Sequence, residues 1–158
     1  MPSTTDHLTG LPNRRALVWA VEHRLAAGES FALLRATARD PEGLRRTLGA
    51  AAGAAWLRQV GHRLAGAAGY ETLARLEGAE LALLAPARTP AEAATVASRL
   101  AYDLEWPVPA NGMHLRVKAR IGMALAPANG GDAVTLLRQA RAARRRAEAL
   151  ELTWSECQ

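Results

Sequence analysis

The sequence predicts an α/β (α+β) fold: a central mixed β-sheet surrounded by helices. Three observations carry this reading. Stretches with the 3.6-residue apolar period of a helix alternate along the chain with short runs of strand character. One strand ending at Leu76 and another beginning at Glu80 are close enough to form a hairpin, whereas the other strands are joined through helices, which makes the sheet mixed. The length of 158 residues suits one domain with one core, taken here as residues 1–158.

The elements follow in order. Pro12 and Asn13 open a helix that puts Leu17, Val18, Val21 and Leu25 on one face, and Gly28 closes it. "SFALLRA", 30–36, is a short strand. Residues 43–48 could form one helical turn, with Gly49 and Gly53 spacing a loop into a helix that carries Trp56, Leu57, Val60 and Leu64. "YETLARL" and "ELALLAP" are the two hairpin strands, and Gly78 can supply positive φ in their turn. Thr89-Pro90-Ala91-Glu92 is a capping box with proline at the first helical position. The helix it starts runs through Val96, Ala97, Leu100 and Leu104 and ends near Trp106-Pro107. "MHLRVKARIGMALAP", 113–127, alternates as one strand with a bend at Gly122. Asp132 caps a last helix with Leu136, Leu137, Ala140, Ala143, Ala147 and Leu150 inward, and "LTW", 152–154, suits a final edge strand.

Composition narrows the function classes. Hydrophobic residues make up 49% but aromatics only 4%, so the core rests on Leu, Val and Ala, with four tryptophans as bulky anchors. No run approaches the roughly 18 apolar residues a membrane span requires. The N-terminus lacks a basic start followed by an apolar run, which points to the cytoplasm. Cys157 is the single cysteine, so no internal disulfide forms. The net charge is +5, with 20 Lys+Arg against 15 Asp+Glu, and Lys118 is the one lysine. This arginine-rich charge fits GC-rich coding and solvated faces, and it also fits a chain that meets nucleic acid.

Four segments then resemble one family. "DHLTGLPNRRAL" (6–17) is similar to D-x-L-T-G-L-P-N-R-R, and "LGAAAGAAWLRQVGHRL" (48–64) to L-G-H-x-x-G-D-x-x-L-R-x-V-A-x-R-L. "ARLEGAELALLAP" (74–86) resembles A-R-x-G-G-D-E-F-A-L-L-x-P. "ARIGMALAP…DAVTLLRQARAARRRAEA" resembles S-I-G-V-A…L-L-R-x-A-D-x-A-L-Y-x-A-K. These are the signatures of GGDEF domains, the diguanylate cyclases, and the resemblance covers roughly residues 6–154. It implies a sheet wrapped by helices, akin to nucleotide-cyclase and polymerase palm domains. "NGGDA", 129–133, spells part of the family name by chance, since Asp132 serves there as an N-cap.

The resemblance implies a chemistry: two GTP molecules are joined when a 3′-hydroxyl attacks an α-phosphate, with carboxylates holding two divalent ions. The positions that would do this are altered. The family's first metal aspartate corresponds to Thr37 and its companion to Arg39, where a guanidinium would repel a cation. Asp40 would need a three-residue shift, and an odd shift turns it to the other face. The guanine-reading asparagine and aspartate correspond to Arg45 and Ala54, and the histidine to Ala50. The five hairpin positions read Glu77, Gly78, Ala79, Glu80 and Leu81, so Ala79 replaces a metal acid while Glu80 is retained, as an acid expected to be solvated on the turn. Glu77 puts a side chain and a charge where a glycine would let backbone approach a nucleotide. The phosphate-binding lysine corresponds to Glu148 and the arginine four residues on to Leu152. The product-binding R-x-x-D becomes Ala68 and Glu71, so cyclic di-GMP is not expected there.

The expected function is therefore a catalytically inactive, GGDEF-like regulatory or interaction module in cyclic di-GMP signalling. It would act through protein partners such as another GGDEF protein, with no metal or other cofactor and no membrane contact. The motif begins at Asp6, so no separate sensor domain is expected and input would come from a partner. Asp6 is expected to pair with Arg75, tying the first motif to the sheet. Two alternatives stay open. One is a nucleotide or nucleic-acid binder using Arg35, Arg39, Arg45 and Arg46 near the former pocket and Arg138, Arg141 and Arg145, with Arg144 and Arg146 beside them, on the last helix. Missing interleaved aromatics weigh against single-strand stacking. The other is a cyclase with residual activity.

Overall fold

The structure is a computed structural model that describes residues 3–39, 44–65, 70–78, 80–110 and 113–157. The side chains at 39, 44–54, 110, 113 and 115 also lie outside the description. The elements are α1 (Arg14–Ala26), β1 (Phe31–Arg39), α2 (Leu44–Ala65), β2 (Thr72–Arg75), β3 (Glu80–Pro86), α3 (Pro90–Glu105), β4 (Val108–Ala110), β5 (Met113–Leu115), β6 (Lys118–Ala126), α4 (Ala133–Ala149) and β7 (Trp154–Glu156). Five strands form one sheet in the order β2-β3-β1-β6-β7. β1 runs antiparallel to both β3 and β6, β2 antiparallel to β3, and β7 parallel to β6, so the sheet is mixed as predicted.

The period-2 alternation of the central strands sorts the core into two layers. Ala32, Leu34 and Ala36 of β1 and Leu81, Leu83 and Ala85 of β3 face α2 and α3, against Trp56, Leu57, Val60, Leu64, Ala97 and Leu100. Phe31 and Leu33 of β1 and Ala82 and Leu84 of β3 face α1 and α4, against Leu17, Val21, Leu136, Leu137 and Ala140. A strand buried on both sides needs apolar residues at nearly every position, which is why β3 is buried from Glu80 to Ala85.

The helix starts are set by the side chains that the sequence offers. Asn13 accepts from Ala16 N at 3.1 Å, Thr89 from Glu92 N at 3.2 Å and Asp132 from Thr135 N at 2.7 Å, each satisfying an otherwise unpaired first-turn N–H. Gly28, at φ 73, closes α1, and Gly78, at φ 53, lies in the β2–β3 turn.

Several sequence expectations need correction. α2 is one helix from Leu44, so Gly49 and Gly53 lie inside it and not in a loop. A glycine costs a helix only about 1 kcal/mol, and burial of Trp56, Leu57, Val60 and Leu64 outweighs that. β1 extends to Arg39, beyond the predicted end at residue 36. The run 113–127 is two strands: β5 turns back on β4, which was not predicted, while β6 joins the main sheet from Lys118. β7 lies at 154–156 and not at 152–154. Leu150 is the C-cap of α4 and is 60% exposed, because the backbone leaves the helix there. Of the tryptophans only Trp56 is a buried anchor; Trp19 and Trp106 are exposed and Trp154 is half-buried.

Candidate functional site

Strand parity that puts Phe31 and Leu33 under α4 continues along β1 to Arg35 and Thr37. The β1–β3 register pairs Thr37 with Glu80, so these two side chains lie side by side on the same face. α4 sits directly over them because β6 has a glycine beneath it. A Cβ on Gly122 would lie 2.7 Å from Arg144 Cα and closer still to Ala140 O and Arg144 N. This close approach lowers Arg144 onto the sheet.

The three elements meet at Glu80. Arg35 donates from Nη2 to Glu80 Oε1, and Arg144 Nε lies 3.0 Å from Glu80 Oε2 as an ion pair. Arg35 Nη1 donates to Leu137 O at 3.2 Å, and Arg144 Nη1 to Glu148 Oε2 at 3.2 Å. Arg35, Glu80 and Arg144 are 5%, 7% and 9% exposed. Glu80, expected from sequence to be solvated, is thus buried with a guanidinium at each oxygen. Burial pulls the Arg144 guanidinium below its ordinary pKa; Glu80 opposes this, and the neighbouring Arg35, Arg145 and Arg141 add to it.

Beside this cluster is a cavity of about 520 Å³. Its buried lining is Arg35, Glu80, Leu137 and Arg144, with Thr37 half-buried beside them, and its more open lining is Arg14, Val18, Glu77, Val134, Arg138 and Arg141. Arg14 and Glu77 pair across the opening at 3.1 Å, both largely exposed. Among the described residues, the buried side-chain polar atoms without a hydrogen bond are Arg35 Nε, Thr37 Oγ1, Trp56 Nε1 and Arg144 Nε, so three of the four belong to this pocket.

The remaining predicted residues fall as follows. Arg75 Nη1 lies 2.9 Å from Asp6 Oδ1, and Arg75 Nε donates to Gly78 O at 3.1 Å, so one guanidinium joins the N-terminal motif to the hairpin turn. Burial pushes the Asp6 carboxyl up, but hydrogen bonds from Thr9 and Arg75 outweigh that and hold it below the usual carboxylate value. Arg138 and Arg141 line the pocket, whereas Arg145, predicted on the same face, does not. Arg146 turns to β7 and donates from Nε to Ser155 Oγ at 3.1 Å. Glu71, which the family resemblance sets at the product-binding position, is paired with Arg24. Ala79, Asp40 and Ala68, and the side chains of Arg39, Arg45, Arg46, Ala50 and Ala54, lie outside the described residues.

Residues 3–151 match the sequence profile of the GGDEF domain of diguanylate cyclases. The chain belongs to the GGDEF family. This GGDEF domain is 34% identical over 143 residues to the bifunctional diguanylate cyclase/cyclic di-GMP phosphodiesterase MucR of Pseudomonas aeruginosa, a match covering 87% of the chain and 21% of MucR. It spans about a fifth of the length of the curated relatives it matches. Among solved structures it is similar to a sensory box/GGDEF family protein of Caulobacter crescentus, with TM-score 0.82 and 33% identity over 94% of this chain and 99% of that one. The GGDEF domain of PA1120 (YfiN or TpbB) of Pseudomonas aeruginosa superposes with TM-score 0.85 and 25% identity, covering 95% and 98%.

Sequence reasoning named Arg35 and Arg144 only as residues near a pocket and beside a helix face. Their capture of Glu80 was missed, as was the Arg14–Glu77 pair. A partial signal existed: the alternation that buries Phe31 and Leu33 also assigns Arg35 and Thr37 to one face. Nothing in the sequence placed α4 over that face.

Proposed function

We propose that this GGDEF domain does not synthesise cyclic di-GMP and acts as a cytoplasmic regulatory or protein-interaction module in cyclic di-GMP signalling. The observation that carries the proposal is the placement of Glu80 between Arg35 and Arg144. It is the one acid retained among the positions that the family resemblance assigns to metal, and both its oxygens already face cations. Thr37 offers a hydroxyl where a carboxylate would stand, and position 79 is alanine. Among the described residues no three His, Cys, Asp or Glu side chains come together as a metal site. The residues present therefore do not suit a pair of Mg²⁺ ions, which need anionic oxygens to compete with water, and no step through a metal is derived.

What the chain keeps is the architecture that presents a surface: the Asp6–Arg75 link, the capped helices and the hairpin. The regulatory role is supported by this combination of an intact fold with an altered site. The test is to incubate the purified chain with GTP and Mg²⁺ and to follow product by chromatography. No cyclic di-GMP is expected; a measurable rate refutes the reading. Mixing the chain with an active GGDEF cyclase tests the regulatory half, where an unchanged cyclase rate and no co-elution count against it.

A further inference from the structure

We propose that the pocket between β1, β3 and α4 binds a phosphorylated small molecule through its arginines and the Thr37 hydroxyl, without a divalent cation and without preference for the base. This goes beyond the proposed loss of cyclase activity, which would stand whether or not anything binds here.

Charge is the first support. Five arginines line the cavity against two glutamates, and Glu148, on Arg144, offsets only one more. Arg138 and Arg141 are exposed and make no hydrogen bond or ion pair among the described residues, so their guanidiniums are available to a ligand. Guanidinium presents a planar fork of donors that matches phosphate oxygens two at a time, and it carries its charge at any physiological pH.

Unpartnered buried donors are the second. Arg35 is 5% exposed, and its Nε has no hydrogen-bond partner; Thr37 Oγ1 beside it has none either. Buried polar groups are almost always hydrogen-bonded, so a pair of unpartnered ones in a single cavity points to a polar occupant. An anion offers acceptors to both. The cations crowded around Arg144 point the same way.

Size and lining supply the third. About 520 Å³ lies within the range of small-molecule sites and exceeds what a single phosphate needs. Val18, Val134 and Leu137 give an apolar wall for the uncharged part of the ligand. Two of the arginines, Arg141 and Arg144, stand where the family pattern for this helix, L-L-R-x-A-D-x-A-L-Y-x-A-K, has aspartate and leucine. That share of the positive charge is therefore a property of this chain, whereas Arg14 and Arg138 fall on arginines of the family pattern. Because the base-reading positions are Arg45 and Ala54, the phosphates and not guanine would decide affinity.

The experiment is calorimetric titration of the full chain in EDTA at low salt with pyrophosphate, ATP and GTP, then the same with Mg²⁺ and at raised salt. Binding in EDTA is expected for all three probes, with ATP and GTP within about threefold of each other and affinity falling with salt. Nucleotides binding more tightly than pyrophosphate would identify use of the apolar wall, and equal affinities would identify the anion alone as the ligand; both support the proposal. The double variant R138A/R141A should bind about tenfold more weakly or worse, since charge-assisted hydrogen bonds are lost. Both side chains are exposed, so its melting temperature should match the parent. No binding in EDTA, binding that requires Mg²⁺, a GTP preference above about tenfold, or unchanged affinity in the folded double variant would each overturn the proposal.

Discussion

Replacing Glu80 by alanine tests the central cluster most directly. Glu80 is 7% exposed and is the shared anion of two arginines that are 5% and 9% exposed. Removing one partner of a buried pair costs about 3–5 kcal/mol, mostly from the charge left behind. Here two cations are left, but each keeps one partner: Leu137 O for Arg35 and Glu148 for Arg144. The expected loss is therefore about 3–5 kcal/mol and not twice that. In a chain of 158 residues 1 kcal/mol moves the melting temperature by about 2–4 °C, so a fall of roughly 10 °C is expected. Urea and thermal unfolding followed by circular dichroism measure it. Glu77→Ala is the internal comparison, because its pair with Arg14 is solvent-exposed and worth under about 1 kcal/mol. Replacing all three cluster residues together by apolar residues of similar volume should recover most of the loss, since no charge then stays buried. If Glu80→Ala costs no more than Glu77→Ala, Glu80 is not held between two buried guanidiniums in solution.

Gly122→Ala should destabilise by about 2 kcal/mol or more, because its Cβ would collide with the α4 backbone at Ala140 and Arg144, which cannot swing aside; an unchanged unfolding midpoint would contradict the close packing. The Asp6 carboxyl is held below its ordinary 3.8, so its contribution is complete above that pH and is lost as pH falls through the lower folded value. Asp6→Asn should therefore be less stable than the parent at pH 7, by about 1–3 kcal/mol, and the difference should shrink on acidification below about pH 4. The Tyr70 hydroxyl, driven up by burial and then by its 2.9 Å bond to Asp103, should stay protonated to high pH, so that a Tyr102→Phe variant, which leaves Tyr70 as the one tyrosine, should show little phenolate absorbance at about pH 10.5. Tyr70→Phe should cost about 1 kcal/mol in urea unfolding.

Local chemistry made much of the fold legible. Thr89 and Asp132 announced their helices because a side-chain oxygen ahead of an apolar period has one common use. The hairpin at 74–86 was plain because two apolar runs flank a turn with glycine. The β4–β5 hairpin was not, since strands of three residues have too little alternation to distinguish them from the run that follows. α2 was cut in two because Gly49 and Gly53 favour loops locally, while burial of the helix's second half decides the matter at a distance. At the site, sequence spacing located Glu80 in the turn but not beneath a helix. The burial of Glu80 depends on Gly122, 42 positions away in numbering, letting Arg144 descend. Such a contact is written in tertiary packing and has no local signature.

The placement of Glu80 also gives the molecule a direction in mutational time. Placing aspartate at position 37 alone would hand Arg35 another anion and would free neither oxygen of Glu80. Removing Arg35 or Arg144 first would strip a buried carboxylate of a partner, at a cost of several kcal/mol before any metal could repay it. Each single step toward a metal site is thus blocked by charge or by stability, while further substitutions on the open side of the pocket are nearly free. On the function proposed above, two guanidiniums on one carboxylate act as a ratchet that lets this domain diverge more readily than it can turn back.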